Sequence, residues 1–128
     1  MQINHIAQLT GLSPKTIRFY EEKNIISPPA RNVNGYRQYN AQHVSQLCFL
    51  KRTREAGFSL QESKELLLLW QDPQRKSCEV KAKTLEKIAF IDEQISHLNA
   101  IKSQLQKLAD ICPDDEQSHC PIIDSFSK

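Results

Sequence analysis

The 128-residue chain has only three glycines, one tryptophan and one methionine. It contains no apolar run near the roughly 18 residues that a membrane span requires. So few glycines leave little room for a phosphate-cradling loop, and no nucleophile, base and orienting group occur together, which argues against an enzyme. The N-terminus lacks the basic-then-apolar layout of a secretory signal. Mean hydropathy is −0.54, so the composition points to a cytoplasmic protein. In that reducing setting the four cysteines, Cys48, Cys78, Cys112 and Cys120, are too few and too scattered for a disulfide framework and favour thiol or metal chemistry.

Net charge is small, at +2, but it is unevenly divided. Residues 1–76 carry eleven Lys/Arg against six Asp/Glu, whereas residues 77–128 carry six against nine. A basic front half joined to a mildly acidic back half is the asymmetry of a nucleic-acid reader attached to something else.

Helical punctuation opens the chain. Ile3, Ile6, Ala7 and Leu9 share a face and Gly11 follows as a stop, giving a short helix over Gln2 to Thr10. Ser13-Pro14 restarts a helix, with Ser as N-cap and Pro at the first helical position. Two short helices around a tight glycine turn form a helix-turn-helix, whose second helix can enter the major groove. On that helix Lys15 and Arg18, three residues apart, share a face and suit phosphate oxygens or guanine edges. Asn34-Gly35 is a two-residue hairpin signal. The hairpin it predicts carries Arg31, Tyr36 and Arg37, a wing whose cations can follow backbone phosphates, while Tyr39 forms the seam beneath it. Asn40 caps a further helix that buries Cys48 as a small hydrophobe, and Ser59-x-x-Glu62 is a capping box for the next. Asp72-Pro73 closes that helix, and Ser77 reads as the N-cap of the last long one.

From Ser77 to Ile111 the chain has neither Pro nor Gly. Ile88, Ile91, Ile95, Leu98, Ile101, Leu105 and Leu108 recur at steps of three and four, one apolar stripe on a helix roughly 50 Å long. A chain this small cannot cover such a stripe with its own mass. Its simplest cover is the same helix of a second copy, in a coiled-coil homodimer. The expected fold is therefore mainly α: a winged helix-turn-helix over 1–71, a linker over 72–76, a dimerisation helix over 77–111, and a metal-binding loop with a short C-terminal helix over 112–128.

Cys112 and Cys120 flank a seven-residue loop at the end of that helix. Two soft thiolates with little else in range select a soft monovalent ion, Cu(I), with Ag(I) or Au(I) equally suited; zinc would want four ligands. His119 offers a nitrogen to a divalent ion as an alternative reading, and a redox switch pairing the two cysteines is another. Asp114, Asp115 and Glu116 are hard donors that keep the loop soluble.

The runs Ile17-Arg18-Phe19-Tyr20-Glu21-Glu22, Gly35-Tyr36-Arg37-Gln38-Tyr39 and Gly57-Phe58-Ser59-Leu60 together resemble the MerR family of transcription activators. Asp72-Pro73-Gln74-Arg75, Cys112-Pro113 and Cys120-Pro121-Ile122-Ile123 narrow the resemblance to that family's copper-efflux regulators. The resemblance implies an antiparallel dimer helix, binding to palindromic double-stranded promoter DNA, and activation of RNA polymerase by distorting an overlong promoter spacer. It implies DNA contacts at Lys15, Arg18, Tyr20, Arg31, Tyr36 and Arg37. It also makes Ser77 a selectivity position, since family members that bind divalent ions look to have Cys there. Cys78 departs from the pattern, but one residue along a helix turns about 100°, away from where residue 77 points. Asn24 stands where the family has Gly, and Asn tolerates the left-handed turn.

Overall fold

Helix caps account for most element boundaries in the computed structural model, which describes residues 1–127. The first helix, α1, spans Ile3–Thr10 and closes on Gly11, whose amide still donates to the Ala7 carbonyl while its φ of 72° turns the following chain out of the helix. Gln2 is its N-cap, one residue outside the helix. Helix α2 spans Pro14–Glu22, with the Ser13 side chain accepting from the Thr16 amide and Pro14 at the first position. Asn24 takes the left-handed conformation expected of it, at φ 57°.

Strands β1 (Ala30–Arg31) and β2 (Arg37–Gln38) pair antiparallel, Arg31 opposite Arg37. The connection differs from the expected two-residue Asn-Gly turn. The Asn32 amide donates to the Tyr36 carbonyl, leaving three residues in the loop, and only Gly35 is left-handed. The Asn32 side chain decides this by accepting from both the Asn34 and Tyr36 amides, so Asn34 need not adopt positive φ.

Helix α3 (Ala41–Glu55) begins with a capping box in which His43, rather than Glu or Gln, returns the bond to the Asn40 amide. Because His43 Nδ1 accepts that amide, Nε2 carries the proton and donates to the Ser27 carbonyl at 2.9 Å. Gln46 binds the Ser27 amide and hydroxyl, so every polar group of Ser27 is fixed to α3 just before the chain enters the wing. Helix α4 (Leu60–Gln71) opens with the Ser59/Glu62 capping box. Asp72 follows it, accepting from the Gln74 amide, while the Arg75 guanidinium binds the Trp70 carbonyl.

The chain divides into two compact units, Met1–Val80 and the remainder from Lys81. The first has a core of Ile6, Ile17, Tyr20, Ile26, Tyr39, Leu47, Leu50 and Leu67. Cys48 is only partly buried, because the fully buried α3 positions are its neighbours Leu47 and Leu50. Helix α5 spans Ser77–Ile111, 35 residues of which none is buried. Ser77 is its first helical residue rather than its cap, so that boundary moves by one. A short helix α6, Pro121–Phe126, follows the loop. Among the described residues no helix is long and apolar enough to cross a membrane.

Candidate nucleic-acid interface and metal centre

In the first unit, helix periodicity sorts α2 into two faces. Ile17 and Tyr20 point inward, while Lys15 and Arg18 are exposed. Tyr20, 7% exposed, places its ring in the core, one helical turn from the fully buried Ile17. Tyr36 is 63% exposed on the wing, and Arg31 reaches back from β1 to donate to the Gly35 carbonyl at 2.9 Å. Arg18, Tyr36 and Arg37 line one cleft together with Gln2, Ile3 and Gly35.

Arg37 is not free. Its Nε donates to both Glu21 oxygens, at 2.8 and 3.0 Å, and the Tyr39 hydroxyl donates to the same carboxylate at 3.1 Å. The hydrogen bond to Glu21 is the main reason the Arg37 guanidinium holds its proton even more firmly than usual. Burial first, then the Glu21 charge, push the Tyr39 phenol up to about 12, so it remains a donor at any physiological pH. Sequence patterning identified the cations of this surface and missed Glu21, whose sign is wrong for a DNA face; only the fold reveals its partners.

In the second unit, α5 presents its apolar stripe to solvent. Ile88, Ile95 and Leu98 are 49%, 52% and 62% exposed. Near its end, Ile101, Leu105, Leu108 and Ile111 form a shallow apolar groove with Phe126 of α6. Between these helices the loop returns on itself. Cys112 follows the last residue of α5, and Cys120 is the N-cap residue of α6. Their sulfurs lie 3.8 Å apart. That is far beyond a disulfide bond of about 2.05 Å. It lies within about 1 Å of the roughly 4.6 Å that two metal–thiolate bonds of about 2.3 Å would span in line.

The Ile123 and Ile122 amides, at the start of α6, face the Cys120 sulfur without closing a capping hydrogen bond. Ile123 contributes most to holding that thiol below its ordinary range, against the opposing effects of burial and Asp124. The Nδ1 of His119 lies 3.8 Å from Asp124 Oδ2, and its side chain is 74% exposed. Among the described residues no group of three or more His, Cys, Asp or Glu is arranged to hold a metal ion. Cys78 is exposed on the first turn of α5.

Comparison with known proteins agrees with this layout. A profile of MerR HTH family regulatory proteins matches residues 1–69, and a MerR DNA-binding profile matches residues 44–108. The HTH-type transcriptional regulator CueR of Escherichia coli is 49% identical over 127 residues, covering 99% of this chain and 94% of the relative. CueR of Vibrio cholerae is 48% identical over 126 residues, covering 98% and 91%. Among solved structures, a transcription regulator of Ralstonia metallidurans in complex with lead(II) superposes with a TM-score of 0.87 at 28% identity, covering 98% of each chain. The regulator MerR of Bacillus megaterium bound to mercury(II) gives 0.72 at 34% identity, with 95% of each covered.

Proposed function

The chain belongs to the MerR family of helix-turn-helix regulators, DNA-binding proteins rather than enzymes, and from that premise we propose that it activates copper-efflux genes in response to Cu(I). The observation that carries the choice of ion is the pair Cys112 and Cys120, 3.8 Å apart, with no cluster of three or more His, Cys, Asp or Glu among the described residues. Two thiolates satisfy a soft monovalent ion, Cu(I), Ag(I) or Au(I), and leave a divalent ion short of ligands. The pair would leave one net negative charge on the complex. The Ile122 and Ile123 amides, which already favour the Cys120 thiolate, face that charge.

The DNA reader is residues 1–71, joined through 72–76 to the dimer helix 77–111 and the sensing loop 112–128. Lys15, Arg18, Arg31, Tyr36 and Arg37 form the operator surface, and Tyr20 supports it from the core. The stripe on α5 packs antiparallel against that of a second copy. Ser77 of one copy then lies near the loop of the other, where a hydroxyl adds no soft donor. Bound ion in the loop shifts the dimer toward a form that distorts promoter DNA for RNA polymerase. All of this takes place in the cytoplasm.

X-ray absorption on the reduced, copper-loaded protein tests the reading: two short sulfur ligands and no nitrogen are expected. A shell of three or four donors would replace it with a divalent-ion sensor. A Cys112–Cys120 disulfide that controls transcription without metal would replace it with a redox switch.

A further inference from the structure

Glu21 is a carboxylate on the recognition helix, beside a surface proposed to meet a polyanion. Taken as a point charge it opposes binding. Yet it is well packed, with its side chain only 14% exposed, and it makes three hydrogen bonds, two from Arg37 and one from Tyr39. All three bridge α2 to the wing strand or the residue after it.

The direction of these bonds matters. Glu21 engages Arg37 only through Nε, and no hydrogen bond from either Nη occurs among the described residues. An arginine carries one N–H on Nε and four on its Nη groups. The carboxylate therefore fixes the plane of the guanidinium and leaves its Nη donors free. Arg37 shares its cleft with Arg18 and Tyr36, whose side-chain tips make no hydrogen bonds among the described residues.

We infer that Glu21 is the positioning residue of the operator surface, holding Arg37 against α2 so that Arg37, Arg18 and Tyr36 form one seat for a DNA phosphate. This deepens the operator-binding reading and rests on it. A free arginine loses rotamer freedom when it binds phosphate, whereas Arg37 has already lost it in the folded chain. The wing and the recognition helix then engage the same backbone group as one rigid body. The Tyr39 hydroxyl holds the second side of the carboxylate, so the seat is tied to the core through the Tyr39 ring, which is 2% exposed.

The test turns on a sign. Removing a negative charge from a DNA-binding face should tighten binding if Glu21 acts only through its charge. A positioning role requires the opposite. Operator affinity of the full-length protein is measured by fluorescence anisotropy over a range of salt concentrations. Glu21→Gln is expected to weaken binding about tenfold, the scale of one charge-assisted hydrogen bond. It should also lower the slope of log K against log salt by about 0.9, one phosphate contact. Tyr39→Phe, which removes a single hydroxyl, should shift both in the same direction by less. In an Arg37→Ala background Glu21→Gln should no longer weaken binding, a coupling that general loss of fold would not produce.

Unchanged or tighter binding by both Glu21→Gln and Tyr39→Phe, alongside weakened Arg18→Ala and Arg37→Ala, overturns the positioning role and leaves the operator surface standing. Undiminished binding by Arg18→Ala and Arg37→Ala removes the operator surface itself, and Glu21's role with it. Should Glu21→Gln lower the melting temperature, Tyr39→Phe and the Arg37→Ala background decide the matter.

Discussion

The two units of this chain solve the problem of burying apolar surface in opposite ways. The first, up to Val80, packs Ile6, Ile17, Leu47 and Leu50 to complete burial within a single chain. The second contains most of a 35-residue helix with no buried residue and leaves Leu98 62% exposed. A stripe of that length exposed in one copy is the surface that the proposed dimer would cover. The first unit thus buries its core in one copy and the second does not, so on the proposed reading a signal at the loop depends on the dimer.

The sharpest way to break this contrast is to charge the stripe. Leu98→Glu places a carboxylate where the proposed partner helix packs, with no counter-ion, at a cost on the order of several kcal/mol per buried charge. Sedimentation should show monomer at low micromolar concentration, and operator binding should fall with it. The first unit should keep its helical signal and its melting transition. A dimer that survives would move the interface elsewhere. Next in size is an internal deletion in the reader: Leu47→Ala should cost roughly 2–5 kcal/mol in a denaturant titration, a large share of the roughly 5–15 kcal/mol available to a domain. The same change at Ile95 should cost the first unit almost nothing.

Breaking the loop separates sensing from reading. Cys112→Ser or Cys120→Ser removes half of a two-sulfur donor set, so the copper response in a reporter assay should vanish while operator affinity stays within about twofold, since neither residue lies in the first unit. Joint loss of both activities would mean that the cysteines also stabilise the fold.

How much of this was legible beforehand follows the same division. Caps and stripes are local, so Ser13-Pro14, Gly11, the Ser59/Glu62 box and the long helix could be read from neighbours in sequence. What escaped depends on atoms brought together by folding. The turn at Asn32 is set by a side chain that outcompetes the Asn34-Gly35 signal. His43 and Gln46 act on Ser27, sixteen and nineteen residues away. Tyr20 and Glu21 lie in a motif legible from sequence, but which of them faces the core and which holds Arg37 depends on the wing docking against α2. In the loop, the spacing of Cys112 and Cys120 left the ligand number open. The fold adds that the two sulfurs lie 3.8 Å apart and that His119 approaches Asp124.

The smallest expected effect is also the most discriminating. Cys78 is exposed on the first turn of α5, next to Ser77, and both stand at the end of the helix that an antiparallel dimer brings to the partner's loop. Because Ser77 is already helical, the approximately 100° between successive side chains holds from the first residue, and the two positions point in different directions. Cys78→Ser should therefore leave the reporter's responses to copper, silver and zinc unchanged. Ser77→Cys should add a third sulfur to the two of the loop and admit divalent ions, so that a zinc response emerges beside the copper one. A copper response lost in Cys78→Ser would show that residue 78 supplies a ligand across the dimer. A Ser77→Cys protein that still ignores zinc would show that the start of α5 does not reach the partner's loop. That second outcome would leave the two-sulfur site intact and dismiss the antiparallel arrangement that places Ser77 beside it.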